Sequence, residues 1–255
     1  MTEARETVIE FRGVSYCVSN AQQLLSDLNL TVRCGETLML LGRSGSGKTT
    51  TLKLINRMLE PSAGEVRVDG RSTLEWDAIR LRRGIGYVIQ EAGLFPHFTV
   101  ERNVGLVPHL EGWPPEKIRA RVCEMLELVG LPPEQFLSRR PHQLSGGQRQ
   151  RVGVARALAG DPPLLLMDEP FGALDPLTRA EIQGEFQALQ GRLKKTVVMV
   201  THDLREALLL GTRIALMESG KLTGVFAPRE FEHATDPRVA AYVRVFRARD
   251  GQSNL

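Results

Sequence analysis

The sequence predicts an α/β fold in which a mostly parallel core sheet carries an antiparallel β flank and an inserted α-helical subdomain. Short apolar runs rich in leucine and valine alternate with longer helical patterns, which is typical of strands buried on both faces of a sheet. A long middle segment leaves this strand pattern and shows helical spacing instead. Of the 255 residues, 42% are hydrophobic and 25% are charged, which is ordinary for a globular domain with a sizeable core.

Four apolar runs predict the strands of the core sheet. They read TLMLLG (37–42), GYVIQ (86–90), LLLMDE (164–169) and TVVMVTH (196–202). Each is short and almost continuously apolar until its last residues. Because strands of parallel sheets are covered on both faces, this pattern favours a parallel arrangement.

An antiparallel flank is predicted near the N-terminus. The stretches VIEFRGVSYCV (8–18) and LLSDLNLTV (24–32) alternate as paired strands do, and EVRVDG (65–70) is predicted as a third member. Further along the chain, RIALMESGKLTGV predicts a hairpin that turns at Ser219 and Gly220.

The middle segment predicts helices. In PPEKIRARVCEMLELVG, the apolar residues fall on one face of a helix: Ile118, Val122, Met125, Leu126 and Val129. We therefore predict one domain with three parts: a core at about 6–90 and 160–227, a helical subdomain at about 91–159, and a short polar, arginine-bearing tail at 228–255.

Composition excludes several classes of protein. The net charge of +3, with both signs interspersed, gives no reason to expect nucleic-acid binding. Cys17, Cys34 and Cys123 are odd in number and lack metal-ligand spacing, so neither a disulfide framework nor a zinc site is indicated. No signal peptide and no apolar run of about 18 residues is present, so we expect any membrane role to come through a partner.

A glycine-rich stretch, GRSGSGKT, matches the phosphate-loop pattern G-x-x-x-x-G-K-[ST] and lies between a predicted strand and a predicted helix. In such loops backbone N–H groups approach phosphate oxygens, Lys48 reaches the β and γ phosphates, and the Thr49 hydroxyl is placed for Mg²⁺. The sequence therefore predicts a P-loop NTPase. The predicted nucleotide-binding residues of this stretch are Gly42, Arg43, Ser44, Gly45, Ser46, Gly47, Lys48, Thr49 and Thr50.

Polar side chains end three of the predicted core strands. Asp168 follows LLLM and can hold Mg²⁺ through water, and Glu169 is placed to activate an attacking water, a role worth about 10²–10⁴ in rate. Gln90 and His202 end two other strands. Each of these residues alone is more often an ordinary strand end, but strand ends of a parallel sheet meet at one edge, beside the phosphates.

The stretch LSGGQ predicts a second phosphate cradle, because bare amides after a serine at a helix start suit an anion. Its residues are Leu144, Ser145, Gly146, Gly147 and Gln148. One nucleotide does not obviously need two cradles.

The combination of GRSGSGKT, Gln90, LSGGQ, LLLMDE, ALD (173–175) and His202, in this order, resembles the nucleotide-binding subunit of ATP-binding cassette (ABC) transporters over nearly the whole chain. In that family two cassettes pair head to tail. The LSGGQ signature of one cassette covers the γ-phosphate held by the phosphate loop of the other. The resemblance thus implies that the second cradle serves a second molecule's ATP.

The resemblance also implies residue roles in hydrolysis, with ATP and Mg²⁺ as cofactors. Gln90 would sense the metal and the attacking water, Glu169 would be the general base, and His202 would contact the γ-phosphate. Thr49, Gln90 and Asp168 would form the metal site.

The implied pairing gives the signature a role in the partner's site. Ser145, Gly146 and Gly147 would complete that site, and Asp175 would bridge the two sites. The implied first partner is a second cassette, most simply a second copy of this chain.

One family position departs from the pattern. By alignment from Phe11 and Val14, the aromatic residue that usually stacks on adenine falls at Val18. Either Tyr16, two residues earlier, takes over that contact, or the base rests on aliphatic packing.

The stretch GYVIQEAGLFPHFTVERNVGLVP (86–108) follows Gln90, where the family docks its membrane permease. The sequence of this stretch resembles that of the ATPases of osmoprotectant importers, which take up glycine betaine, choline, carnitine or similar quaternary amines. The resemblance implies permease partners, an indirect extracytoplasmic solute-binding protein, and a peripheral location on the cytoplasmic face of the cell membrane. Many such ATPases carry C-terminal regulatory domains, and because this chain stops at Leu255 we expect such regulation to lie elsewhere or to be absent.

Two alternatives stay open. The first is an importer ATPase for another polar solute, such as an amino acid. The second is a non-transport ABC ATPase of DNA repair or translation. The repair type inserts a coiled coil or a zinc module between Lys48 and Ser145, and the interval here has neither heptads nor cysteine clusters. The translation type carries two tandem cassettes.

Overall fold

The computed structural model describes these residues: 6–18, 22–90, 93–172 and 174–251. They divide into two compact units, the first formed by Met1–Trp76 with Val198–Leu255 and the second by Asp77–Val197. The predicted start of the helical subdomain, residue 91, lies outside the described residues.

The strands are β1 (Thr7–Val18), β2 (Gln22–Arg33), β3 (Thr37–Leu41), β4 (Ala63–Val68), β5 (Arg71–Ser72), β6 (Ile85–Val88), β7 (Leu164–Asp168), β8 (Thr196–Thr201), β9 (Arg213–Glu218) and β10 (Lys221–Phe226). The helices are α1 (Lys48–Ile55), α2 (Ala78–Arg83), α3 (Val100–Val104), α4 (Leu106–Leu110), α5 (Pro115–Leu128), α6 (Pro133–Phe136), α7 (Gly146–Ala159), α8 (Pro176–Leu193), α9 (Leu204–Leu210), α10 (Pro228–Glu232) and α11 (Pro237–Gly251). A short 3₁₀ turn, Pro141–Gln143, precedes α7.

The first unit contains the antiparallel flank that the sequence predicts. Its strand order is β2-β1-β4-β5, and Phe11 of β1 lies opposite Leu30 on one side and Val66 on the other. Ile9, Phe11 and Val14 are buried, while residues between them are wholly or partly exposed. This alternation is what a sheet with one covered face requires.

The same unit contains core strands and the predicted hairpin. β3 is fully buried and pairs in parallel with β9, which pairs in antiparallel fashion with β10. Ser219 and Gly220, between β9 and β10, both have positive φ angles of 48° and 77°. Two successive positive φ values are the geometry of a tight hairpin turn that matches the twist of its strands, so the predicted hairpin is confirmed.

The second unit contains β6 and β7 in parallel, with Tyr87 opposite Leu166, together with α2 to α8. The amphipathic helix predicted at 114–130 is α5. Its apolar face is buried as expected at Val122, Met125 and Leu126. Helix α5 packs against α7, which also packs against α3.

The segment predicted as a short polar tail contains helices α10 and α11. Phe231, Val239 and Val243 are buried, and both helices pack against α9. None of the helices in the described ranges is both long and apolar enough to cross a bilayer.

Candidate nucleotide-binding site

The phosphate-loop stretch forms a tight turn between β3 and α1. Gly45 and Gly47 have φ angles of 79° and 97°, which side chains other than glycine rarely adopt. A Cβ at Gly47 would also lie 2.5 Å from the Leu25 side chain, and one at Gly42 would lie 2.4 Å from the Met217 carbonyl oxygen. Glycine is therefore required at both ends of this turn.

Lys48 begins α1 and is only 5% exposed. Its Nζ donates hydrogen bonds of 2.8 Å to the carbonyl oxygens of Gly42 and Arg43, so the ammonium is folded back over the turn. A charged group with so little water around it gains strongly from an anionic partner.

Two further observations fit a phosphate at this turn. No acidic residue lies in the first turn of α1, where an anion interacts favourably with the helix dipole. The Ser46 hydroxyl is buried and has no hydrogen-bond partner within the described ranges. Arg43, Ser44 and Gly45 are exposed at the mouth of the turn, and Thr49 and Thr50 are half-buried behind it.

Tyr16 and Val18 lie at the end of β1 in the same unit. Tyr16 pairs with Leu25, the residue whose side chain approaches Gly47. Tyr16 is half-buried, and Val18 is 41% exposed. Tyr16 therefore lies opposite a residue that contacts the phosphate loop, whereas Val18 pairs with Gln22. Which of the two holds adenine stays a prediction.

Strand β8 ends at Thr201, so His202 lies one residue beyond the strand rather than at its last position, and its side chain is exposed. The turn around it is fixed, because the Thr201 hydroxyl accepts from the Asp203 N–H at 3.0 Å and donates to the Glu206 carboxylate at 2.5 Å. Asp203 then caps α9 by accepting from the Arg205 N–H. The buried Thr201–Glu206 contact, directly beside His202 in the chain, was not predicted from the sequence, since only the fold brings these two side chains together.

In the second unit, Asp168 ends β7 and is buried. Glu169 follows with a φ of 44°, a left-handed conformation that costs a non-glycine residue about 1–3 kcal/mol. Strain of this kind often marks a functional position. The turn re-aims the chain directly after the strand, and the Glu169 carbonyl accepts from the Gly172 N–H.

Strand β6 ends at Val88, so Gln90 lies two residues beyond the strand rather than at its last position. Gln90 is exposed. Because β6 and β7 are parallel and Val88 pairs with Met167, Gln90 and Asp168 leave the same edge of this strand pair. His202 belongs to the other unit, so its convergence with them stays a prediction.

Tyr87, which the sequence analysis did not single out, lies on β6 within electrostatic reach of Asp168. Burial, followed by the negative charge of Asp168, raises the pKa of Tyr87 to about 12. The phenol therefore stays protonated at neutral pH beside the predicted metal-binding carboxylate.

The LSGGQ stretch starts α7, as predicted. The Ser145 hydroxyl accepts from the Gln148 N–H at 3.2 Å, and the Gln148 side chain accepts from the Ser145 N–H at 3.0 Å, forming a reciprocal capping box. Ser145 and Gly146 are exposed, whereas Leu144 is buried and anchors the stretch. The side-chain oxygen of Gln148 is thus committed to the cap.

Gly147 has a packing reason to be glycine. A Cβ there would lie 2.7 Å from the Thr178 side chain of α8. Asp175 caps α8 by accepting from the Thr178 N–H at 3.1 Å, and hydrogen bonds from the Thr178 side chain and backbone lower the pKa of Asp175. Asp175 is exposed beside Leu177, and Ala173 lies outside the described residues.

Among the described residues, no cluster of three or more His, Cys, Asp or Glu side chains could hold a metal ion. Thr49 belongs to the first unit, whereas Gln90 and Asp168 belong to the second, so a metal site that joins them stays a prediction. Thr49, Gln90 and Asp168 offer hard oxygen donors of the kind that Mg²⁺ prefers.

The glycine-rich turn between a strand and a helix, together with carboxylates at a strand end, defines a P-loop nucleotide-binding protein. Residues 25–172 match the family model described as ABC transporter. The chain therefore belongs to the ABC transporter family.

Relatives in that family are closely similar to this chain. OpuCA of Bacillus subtilis strain 168, a glycine betaine/carnitine/choline transport ATP-binding protein, is 50% identical over 223 residues, which are 88% of this chain and 58% of OpuCA. YehX of Escherichia coli K12, a glycine betaine uptake system ATP-binding protein, is 49% identical over 215 residues, which are 84% of this chain and 69% of YehX. The chain spans a little over half of the length of OpuCA and of OpuBA, the choline transport relative from B. subtilis.

Solved structures show the same fold. The dimeric post-hydrolysis structure of the ATP-binding cassette MJ0796, bound to ADP and Pi, superposes with a TM-score of 0.77 at 36% identity, covering 87% of this chain and 99% of that one. CbiO1 from Clostridium perfringens, part of the ABC transporter complex cbiONQ, superposes with a TM-score of 0.81 at 28% identity, covering 95% of this chain and 97% of that one.

Proposed function

We propose that this chain is the ATP-hydrolysing motor subunit of an ABC importer for glycine betaine or related quaternary amines. The observation that carries the proposal is the 50% identity, over 88% of the chain, with a glycine betaine/carnitine/choline transport ATP-binding protein. Five further relatives at 47–51% identity are likewise named for choline, carnitine, glycine betaine or osmoprotectant transport or uptake.

In this proposal the phosphate loop binds ATP. The Lys48 ammonium would exchange its two carbonyl partners for the β and γ phosphates, while backbone N–H groups of the loop donate to the remaining oxygens. Thr49, Gln90 and Asp168 would hold Mg²⁺. The ion, when bound, neutralises charge that develops on the phosphate oxygens.

Glu169 is proposed as the general base. Its carboxylate would accept a proton from the attacking water as the oxygen of that water bonds to the γ-phosphorus and the bond to ADP breaks. The left-handed turn at Glu169 supports this role, because it directs the residue away from the path of β7. His202, which follows the buried Thr201, would contact the γ-phosphate.

A second cassette is the proposed partner, most simply a second copy of the chain. Ser145 and Gly146 present exposed amides at the start of a 14-residue helix with no acidic residue in its first turn. That end suits the γ-phosphate of ATP held by the partner. Asp175 and the 72% exposed Leu177 lie at the start of α8, where they would meet the partner.

Permease subunits are the proposed membrane partners, and they would hold the chain on the cytoplasmic face of the membrane. An extracytoplasmic binding protein would deliver the solute. In this arrangement the transported amine never touches the chain described here.

Uptake of labelled glycine betaine and choline at high osmolarity tests the proposal. The comparison needs the wild-type strain, a strain without this gene, and a strain carrying Lys48→Ala. We expect uptake to be lost in the last two strains, because no ATP is hydrolysed. Unchanged uptake in both would contradict osmoprotectant import and favour another polar solute, such as an amino acid.

A further inference from the structure

The loop that follows Gln90 is held by side chains from two helices of the second unit. Arg156 of α7 donates from Nη1 to the Gly93 carbonyl oxygen at 2.8 Å. Asn103 of α3 accepts from the Phe95 N–H at 2.8 Å and donates to the carbonyl oxygens of Phe95 and Thr99 at 3.2 and 3.0 Å. The two contacts fix the start and the body of the loop Gly93–Thr99.

The loop presents an apolar surface between the points at which it is hydrogen-bonded. Asn103 is fully buried, so its loss would leave several backbone groups without partners. Phe95 is 47% exposed and its ring centre lies 5.2 Å from that of Phe98. The Arg102 guanidinium lies 3.8 Å from the centre of the Phe98 ring and supports it from α3.

Gly93 makes the contact with Arg156 possible. Its φ is 47°, and a Cβ at this position would lie 1.9 Å from Cδ1 of Ile89. Another residue would strain the backbone at this φ and would have to displace the Ile89 side chain.

Arg156 lies on the helix that starts with the signature. It follows Ser145 by three helical turns, about 16 Å along the axis at 1.5 Å per residue. Burial lowers the pKa of Arg156, but a guanidinium stays charged, so the bond to Gly93 is charge-assisted. Since α7 is one continuous helix, a displacement at Arg156 reaches Ser145.

We propose that Arg156 is a positioning residue that couples the loop Gly93–Thr99 to the signature helix α7. A partner that seats on Phe95 and moves the loop would thereby turn α7 and set the position of Ser145 and Gly146. The inference rests on the proposed function, in which that partner is a permease subunit with an apolar side chain at the contact.

The test uses the full chain, alone and assembled with its permease and binding protein in liposomes. Arg156→Gln removes the charged donor. Arg151→Gln is the matched control, since Arg151 lies on the same helix and donates to the Val129 carbonyl oxygen at 3.2 Å while pairing with Glu185 at 3.0 Å. The quantity measured is the ATPase stimulation by glycine betaine, relative to the ATPase of the chain alone.

We expect the stimulation of the ATPase by glycine betaine to be about tenfold smaller in Arg156→Gln than in wild type. Small misplacements at an active site have effects of at least this size. The ATPase of the chain alone should stay within about twofold of wild type, and Arg151→Gln should keep both activities. Arg156→Lys should recover part of the stimulation, since an ammonium can still donate to the Gly93 carbonyl.

Gly93→Ala perturbs the hydrogen bond between Arg156 and the Gly93 carbonyl from the acceptor side, because it strains the backbone that carries this carbonyl. It removes no buried charge, and the position is exposed. It should uncouple in the same way, and it decides the matter if Arg156→Gln does not fold. Full stimulation in both variants would overturn the inference. An equal loss of stimulated and unstimulated ATPase would also overturn it, because that result describes a merely structural arginine. A wild-type transporter without any solute-stimulated ATPase would instead contradict the proposed function.

Discussion

At the scale of single residues, Lys48 holds a positive charge where little water reaches it. Its Nζ donates to the carbonyl oxygens of Gly42 and Arg43. A phosphate oxygen would accept a charge-assisted hydrogen bond from this ammonium, and such bonds are worth about 1.5–3 kcal/mol. Asp168 is likewise buried, at the end of β7, and its carboxylate is a ligand of the kind that Mg²⁺ prefers.

Tyr87 gives a residue-scale prediction with a defined pH range. Its folded pKa of about 12 exceeds the ordinary value of 10.0, chiefly because of burial and then because of Asp168. The unfolded chain therefore loses this proton first, so the stabilising contribution is complete below pH 10 and disappears as the pH rises toward 12.

Tyr87→Phe should remove that dependence. Urea unfolding at pH 9 and again near pH 11.5 would measure the free energy of unfolding of both proteins. These two pH values bracket the ordinary tyrosine pKa. We expect wild type to lose more stability over this interval than the variant does. An equal fall in the free energy of unfolding of wild type and Tyr87→Phe would show that burial does not raise the pKa of the Tyr87 phenol.

At the scale of elements, the start of α7 combines a structural cap with a proposed phosphate contact. Ser145→Ala removes the hydroxyl that accepts from the Gln148 N–H, so the free energy of unfolding should fall by about 1 kcal/mol. If Ser145 also contacts the partner's ATP, the ATPase should fall by about tenfold to a hundredfold.

Asp77→Ala is the matched control for the loss of a cap. Asp77 caps α2 of the same unit by accepting from the Arg80 N–H at 2.8 Å. This variant should lose a similar amount of stability, measured by urea unfolding, and keep its ATPase. A Ser145→Ala protein that is destabilised to the same degree but fully active would remove the signature from the phosphate-binding site.

Elements with a strong local pattern were predictable from the sequence. The β1–β2 pair alternates apolar and polar residues, the turn at Ser219 and Gly220 demands positive φ values, and α5 buries one apolar face. Helices α10 and α11 were predicted as a polar tail because three apolar residues in a charged segment give little periodicity. Their stability comes from tertiary burial, which local pattern does not report.

The residues of the candidate site and of the proposed coupling contact also fall into two groups, those that a local motif predicts and those that only the fold brings together. The loop of Lys48 and the capping serine of LSGGQ have motifs whose spacing is local. Tyr87, Asn103, Arg156 and the Thr201–Glu206 pair were missed. The bond from Arg156 to Gly93 spans 63 residues of sequence, and a lone arginine in an amphipathic helix is ordinarily a solvated side chain.

At the scale of the whole molecule, the proposed function is a switch between two cassettes. ATP would hold the phosphate loop of one chain against the Ser145 end of the other, and hydrolysis would release them. Such a switch needs contacts that differ between the ATP-bound and the product state. The γ-phosphate is the group that differs, and Lys48, Glu169, His202 and Ser145 are the residues proposed to meet it.

The most direct measurement is the ATPase rate and the oligomeric state of purified Glu169→Gln in ATP, determined by size-exclusion chromatography with light scattering. We predict that hydrolysis falls by at least about a hundredfold, because the base is lost, and that ATP-bound dimers accumulate. Glu181→Gln, which changes an exposed acid on α8, should behave as wild type. Wild-type hydrolysis by Glu169→Gln, or a protein that binds ATP and stays monomeric, would contradict the account.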